Sequence, residues 1–176
     1  RLMFIEDPVI QENMAGLKWI QDHTNVPLAI GESNYTKFGN FRDIIFRHLA
    51  NYVRPDVIHA GGISECKKIG AMAEANFIDV ALHVAPSPVS NLASTHIAAC
   101  TPNCVLQENT GRPGRRSQWM VDMFYGDDIT IKDGYAALPE KSGLGCDLDE
   151  NIAKNHPYEP GNLPHNVYED GSVSDW

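Results

Sequence analysis

Five ionisable residues recur at near-constant steps: Glu6, Glu32, Asp56, His83 and Glu108, separated by 26, 24, 27 and 25 residues. Their types suit proton abstraction from carbon. An imidazole near neutral pH is a good general base. An Asp accepting from its second ring nitrogen would fix the tautomer and stabilise the imidazolium. Several carboxylates brought together are unfavourable unless protons or a cation compensate. A hard cation with oxygen ligands, most simply magnesium, would do so. Taken singly, each residue has an ordinary reading as a solvated charge or a packed histidine. The argument rests on their occurring in register.

The elements that must position them follow the same step. Leu2 to Ile5, Val26 to Ile30, Tyr52 to Ile58, Ile78 to His83 and Cys104 to Gln107 read as strands. Between them, residues 12–23, 40–50 and 63–76 carry apolar residues at helical spacing, with Phe41, Ile44, Ile45 and Leu49 on one face and Ile69, Met72 and Ala73 on another, and 91–100 reads as a small-residue helix rich in Ala. Alternating strands and helices predict a parallel sheet with helices outside, and a step of about 25 residues is a structural repeat of one βα unit. Parallel strands of a barrel bring their C-terminal ends to one mouth, where active sites lie. The five residues therefore share a rim.

After Glu108 the pattern breaks. The segment 109–118 (NTGRPGRRSQ) reads as a basic loop, residues 128–139 as two short strands around Asp133-Gly134, and the chain from Ser142 as a partly irregular tail. The expected division is residues 1–108, a partial (β/α) barrel of five strands and four helices, and residues 109–176, a loop, a hairpin and a tail. Gly61-Gly62 lacks the GxGxxG spacing of a dinucleotide site.

Composition narrows the function. The 176 residues are 43% apolar and 21% charged, with a net charge of −9, which excludes a disordered or collagenous chain. No apolar run reaches the ~18 residues of a membrane span. An acidic surface repels phosphate backbones and anionic lipid, so neither nucleic acid nor membrane is expected as a partner. Cys66, Cys100, Cys104 and Cys146 show no zinc spacing and are expected as reduced thiols of a cytoplasmic protein. A (β/α)₈ barrel takes about 250 residues, and the chain opens on Arg1 close to a strand end. Both predict the C-terminal part of a longer enzyme, neither stable nor active alone because open strand edges would be exposed.

The phrases IEDP, AIGES, RPDVIHAGGISECKKI and LHVAPSPVSNLASTHIAACTPNCVLQEN, in this order, resemble the enolase superfamily, and most its mandelate-racemase-like sugar acid dehydratases. The resemblance runs to about Glu150. It implies that the chain is α/β and equivalent to barrel strands four to eight, with a tail that packs on an N-terminal capping domain. It implies that Glu6 and Glu32 are magnesium ligands, His83 the base, Asp56 its orienting partner, and Glu108 a carboxylate near the substrate's enolate oxygen. The implied reaction removes the proton next to a carboxylate, forms an enediolate and expels a β-hydroxyl, giving a 2-keto-3-deoxy sugar acid. A Lys or His base paired with magnesium is the general pattern of such sites. The family's third metal ligand, an Asp on the third strand, and a His two residues beyond it have no counterpart here. Family members are usually assemblies, so a homo-oligomer is expected. Two alternatives stay open: a racemase or other enolate-forming member, and a non-catalytic barrel remnant. Asn34 and Tyr35, and Arg112, Arg115 and Arg116, are weaker candidates for substrate contact, and Trp119 reads as packing.

Overall fold

A computed structural model of the chain describes residues 1–85, 87–109, 118–126, 131–158 and 167–172. Strands β1 (Ile5–Glu6), β2 (Leu28–Ile30), β3 (Tyr52–Val53), β4 (Asp79–Leu82) and β5 (Cys104–Gln107) form one sheet in sequence order. Every neighbouring pair is parallel. Helices α1 (Met14–His23), α2 (Arg42–Phe46), α3 (Ile63–Glu74) and α4 (Pro88–Ala99) fill the connections. The βα alternation predicted from the sequence is therefore the architecture of this part, and all five strands end on the same rim.

Local chemistry explains the boundaries. Asn13 caps α1, its side chain accepting the Gly16 amide at 2.8 Å. Pro88 stands in the first turn of α4, where a missing N–H costs nothing. The helix expected over 40–50 is shorter. It is preceded by a loose turn, Lys37–Phe41, in which Gly39 is extended, and His48 beyond it takes φ 51°. The apolar face nevertheless holds: Phe41, Ile44, Ile45 and Leu49 are all buried. The strand expected over 52–58 stops at Val53, because Pro55 has no amide for the ladder. A single bridge resumes at Asp56, opposite His83. Leu28, Ile30, Val53, Val80 and Leu82 from the sheet meet Leu17, Ile69, Ala73 and Ile97 from the helices in one core, against which Met72 packs half-buried.

The remainder is α5 (Gln118–Met123), β6 (Phe124–Gly126), β7 (Ile131–Lys132), β8 (Tyr135–Ala136), β9 (Cys146–Leu148) and α6 (Glu150–Asn155). The expected hairpin is present: β7 and β8 pair around Asp133 and Gly134, both at positive φ, as a tight hairpin turn requires. The tail is more regular than expected. β9 pairs antiparallel with β6, and Asp149 caps α6 by accepting the Asn151 and Ile152 amides. All four cysteines are free. Among the described residues no helix is long and apolar enough to cross a membrane.

Candidate active site

The rim holds the five residues picked out by spacing. Glu6 ends β1, and Glu32 lies two residues beyond β2. Asp56 and His83 face each other just past β3 and β4, and Glu108 follows β5. The parallel ladder thus converts a sequence repeat into a shared location.

Asp56 and His83 form the best-defined pair. The His83 Nδ1 lies 2.7 Å from Asp56 Oδ2. Asp56 is fully buried, and its oxygens also accept the amides of Ile58 (2.6 Å), His59 (3.2 Å) and Ala85 (3.1 Å). Burial pushes its carboxyl upward, but the His83 ring and the Ile58 and His59 amides outweigh it and hold the carboxyl below its ordinary value. An ionised Asp56 makes Nδ1 the protonated nitrogen of His83 and leaves Nε2 for chemistry. That nitrogen lies 3.5 Å from Glu32 Oε2 and 3.7 Å from Glu108 Oε2. The Asp56 hydrogen bond raises the imidazole's pKa. Burial opposes it, and the Glu32 and Glu108 charges add to it.

Glu6 and Glu32 converge. The Glu6 carboxyl is pushed above its usual range, first by burial, against which Arg54 acts, and further by the hydrogen bond that its protonated form donates to Glu32 and by the charges of Glu32 and Glu108. Among the described residues, the carboxylates of Glu6, Glu32, Asp56 and Glu108 gather around one arginine, Arg54, and one imidazole, His83. Two oxygen donors under that strain fit a hard divalent cation such as magnesium. Among the described residues no three His, Cys, Asp or Glu side chains are grouped to hold an ion, so Glu6 and Glu32 form a partial donor set.

Arg54 is the site residue that spacing missed. It is 4% exposed, its Nε lies 2.7 Å from Glu6 Oε1, and its Nη2 donates to Glu108 Oε2 at 3.3 Å. It joins carboxylates from opposite ends of the arc. The available signal was a cation inside an apolar strand, two residues before Asp56 and so on the same face. Of the weaker candidates, Tyr35 is exposed and its ring tilts against His59 at 6.1 Å, whereas Asn34 is buried with neither amide atom partnered among the described residues. Trp119 stacks on His156. Arg112, Arg115 and Arg116 lie outside the described residues.

A parallel βα arc with this rim defines a class, and comparison agrees: residues 1–152 match the enolase C-terminal domain-like family, and the chain belongs to it. It is 37% identical to a D-mannonate dehydratase of Caulobacter vibrioides across all of this chain and 43% of that protein. It is 34% identical to a D-galactonate dehydratase of Xanthomonas euvesicatoria over 99% of this chain and 46% of that one. Among solved structures it resembles an enolase from Pantoea ananatis with bound D-gluconate and magnesium. That match has a TM-score of 0.77 at 34% identity and covers 92% of this chain and 38% of that one. The chain thus spans less than half the length of these relatives, of which the Caulobacter and Xanthomonas proteins are named sugar acid dehydratases.

Proposed function

We propose that this chain is the C-terminal barrel portion of a magnesium-dependent dehydratase of sugar acids, galactonate-like, completed by N-terminal barrel strands and a capping domain. The observation that carries the proposal is the Asp56–His83 pair, with Nε2 of His83 turned toward Glu32 and Glu108. The dehydratase names of the relatives and the gluconate and magnesium of the Pantoea structure support this reading over a racemase.

A proton next to a carboxylate is too weakly acidic for a base alone, so charge developing on the substrate must be stabilised. Glu6 and Glu32 would hold magnesium, which supplies positive charge to the substrate carboxylate and, when bound, does what the side chains cannot. His83 takes the carbon-bound proton on Nε2. Asp56 keeps Nδ1–H pointed inward and stabilises the imidazolium that results. Glu108, held by Arg54 and by the Val84 amide (3.4 Å), would face the developing enolate oxygen. Loss of the β-hydroxyl then yields the enol of a 2-keto-3-deoxy acid. In this reading the acid that assists this departure would come from the N-terminal strands.

The test is an assay of the complete protein with magnesium against a panel of aldonates, including galactonate, mannonate and gluconate, read as 2-keto acid formed. Turnover of at least one aldonate, lost with His83→Asn and with chelation, is expected. No keto acid from any member of the panel would leave the remnant reading standing.

A further inference from the structure

Asp7 follows Glu6 directly and adopts φ 33°, a left-handed conformation uncommon for a residue with a side chain. Its amide donates to Ala29 O at 3.1 Å, and its Oδ1 accepts the Gly31 amide at 3.0 Å. Asp7 is thereby fastened at both ends to the strand that leads into Glu32. Gly31 is constrained from its other side as well. It takes φ 134°, and a Cβ there would meet the Phe41 ring at 2.6 Å. The peptide before Glu32 is therefore held between a buried aromatic ring and the Asp7 carboxylate. Such strain persists only where the surroundings over-determine it.

We propose that Asp7 is a positioning residue that acts through its acceptor oxygen: by gripping the Gly31 amide it sets the separation of the Glu6 and Glu32 carboxylates. The proposal rests on the reading that those two carboxylates hold the cation. It competes with a simpler role in which Asp7 merely adds negative charge beside the ion. It also competes with one in which the unusual backbone at residue 7, rather than its side chain, matters. Three substitutions separate these. Asp7→Asn keeps an acceptor oxygen, tolerates positive φ and removes the charge. Asp7→Gly accepts the backbone conformation without strain and removes the acceptor. Asp7→Leu removes both charge and acceptor while keeping the branching of the side chain.

The experiment is a titration of the complete protein with Mn²⁺, an ion with the same preference for oxygen donors, read by electron paramagnetic resonance as the dissociation constant and stoichiometry. Glu6→Gln serves as the control for the site itself. Asp7→Asn is expected to bind within about threefold of the unsubstituted protein. Asp7→Gly and Asp7→Leu are expected to weaken binding by about 10- to 100-fold, the usual effect of removing a group that orients a metal ligand. The positioning role is overturned if Asp7→Asn loses as much affinity as Asp7→Gly, which would assign the effect to charge. It is equally overturned if Asp7→Gly binds like the unsubstituted protein while Glu6→Gln does not. If Glu6→Gln also binds unchanged, the metal-site reading fails and takes this proposal with it, a pattern distinct from the other two.

Discussion

Four hydrogen-bond donors converge on the two oxygens of Asp56: the amides of Ile58, His59 and Ala85 and the ring of His83. An Asn at this position would have to turn its own amide group toward one of those donors. Asp56→Asn should therefore leave the shape of the side chain intact and disturb the tautomer of His83. For the proposed dehydration, kcat of the complete protein should fall by about 10²-fold or more, the range of a displaced general base, with KM little changed. An unaltered kcat would remove Asp56 from the mechanism. Arg54 makes a different prediction. Its guanidinium is buried, but its partners Glu6 and Glu108 are 37% and 39% exposed, so solvent screens part of each interaction. Arg54→Met should cost about 1–3 kcal/mol, less than the loss of a fully buried pair, read as a lower urea midpoint at unchanged slope. Lys is no substitute, because a single ammonium cannot reach both carboxylates as a fork does. The contrast between these residues shows what the sequence displays. Asp56 and His83 were visible because each closes a repeat. Arg54 lies just beyond β3 and two residues before Asp56, outside that register, and only the curvature that brings Glu6 and Glu108 within its reach gives it two partners.

Between elements, one pair of residues can carry the tie. Glu65 in the first turn of α3 takes both the amide (3.0 Å) and the ammonium (2.8 Å) of Lys37, which belongs to the turn before α2. Lys37, through its side chain first and its amide second, holds the Glu65 carboxyl down to about 2, against an ordinary 4.5. A depressed acid contributes stability that is complete above its unfolded value and is lost as pH falls through its folded one. The contribution should thus be full above about 4.5 and disappear toward 2. Carboxyl titration by NMR should find Glu65 near 2, returning toward 4.5 in Lys37→Ala. A midpoint that ignores Lys37 would refute the tie. The turn's Phe41 gives a second test. Gly31→Ala should destabilise by about 1–3 kcal/mol, since it adds a clash to a strained φ. Adding Phe41→Leu should recover part of that loss by relieving the clash, and none of the φ penalty; strict additivity of the two losses would exclude the contact. At this scale the helices were legible because their buried faces repeat: Phe41, Ile44, Ile45 and Leu49 stay buried even though α2 itself is only five residues long. Strand length was not legible at β3, where a proline ends the ladder. β9 was not legible either, because its partner β6 lies about twenty residues away and no local periodicity announces a pairing made at that distance.

Across the whole molecule, the open edges of the sheet carry the strongest consequence. β1 and β5 each pair on one side only among the described strands. On β5, Val105 and Leu106 are 53% and 38% exposed, and beside β1, Leu2 and Met3 are 65% and 52% exposed. A groove of about 340 Å³ runs between β5 and the β7–β8 hairpin, lined by Val105, Leu106, Ile131, Tyr135 and Leu138. Unpaired edges flanked by apolar side chains favour association with other strands. In the proposed complete barrel, three N-terminal strands would close the gap and pair both edges. Hydrogen exchange followed by mass spectrometry distinguishes the two situations peptide by peptide. In the complete protein, peptides spanning residues 2–6 and 104–107 should exchange as slowly as those spanning 79–82, which already lie between two strands. In the 176-residue chain alone, the edge peptides should exchange at least about tenfold faster than 79–82, because their outer amides open without breaking a ladder. A chain in which edge and central peptides are equally protected, in a monomer, would mean that this arc closes by itself, and the requirement for further strands would be withdrawn.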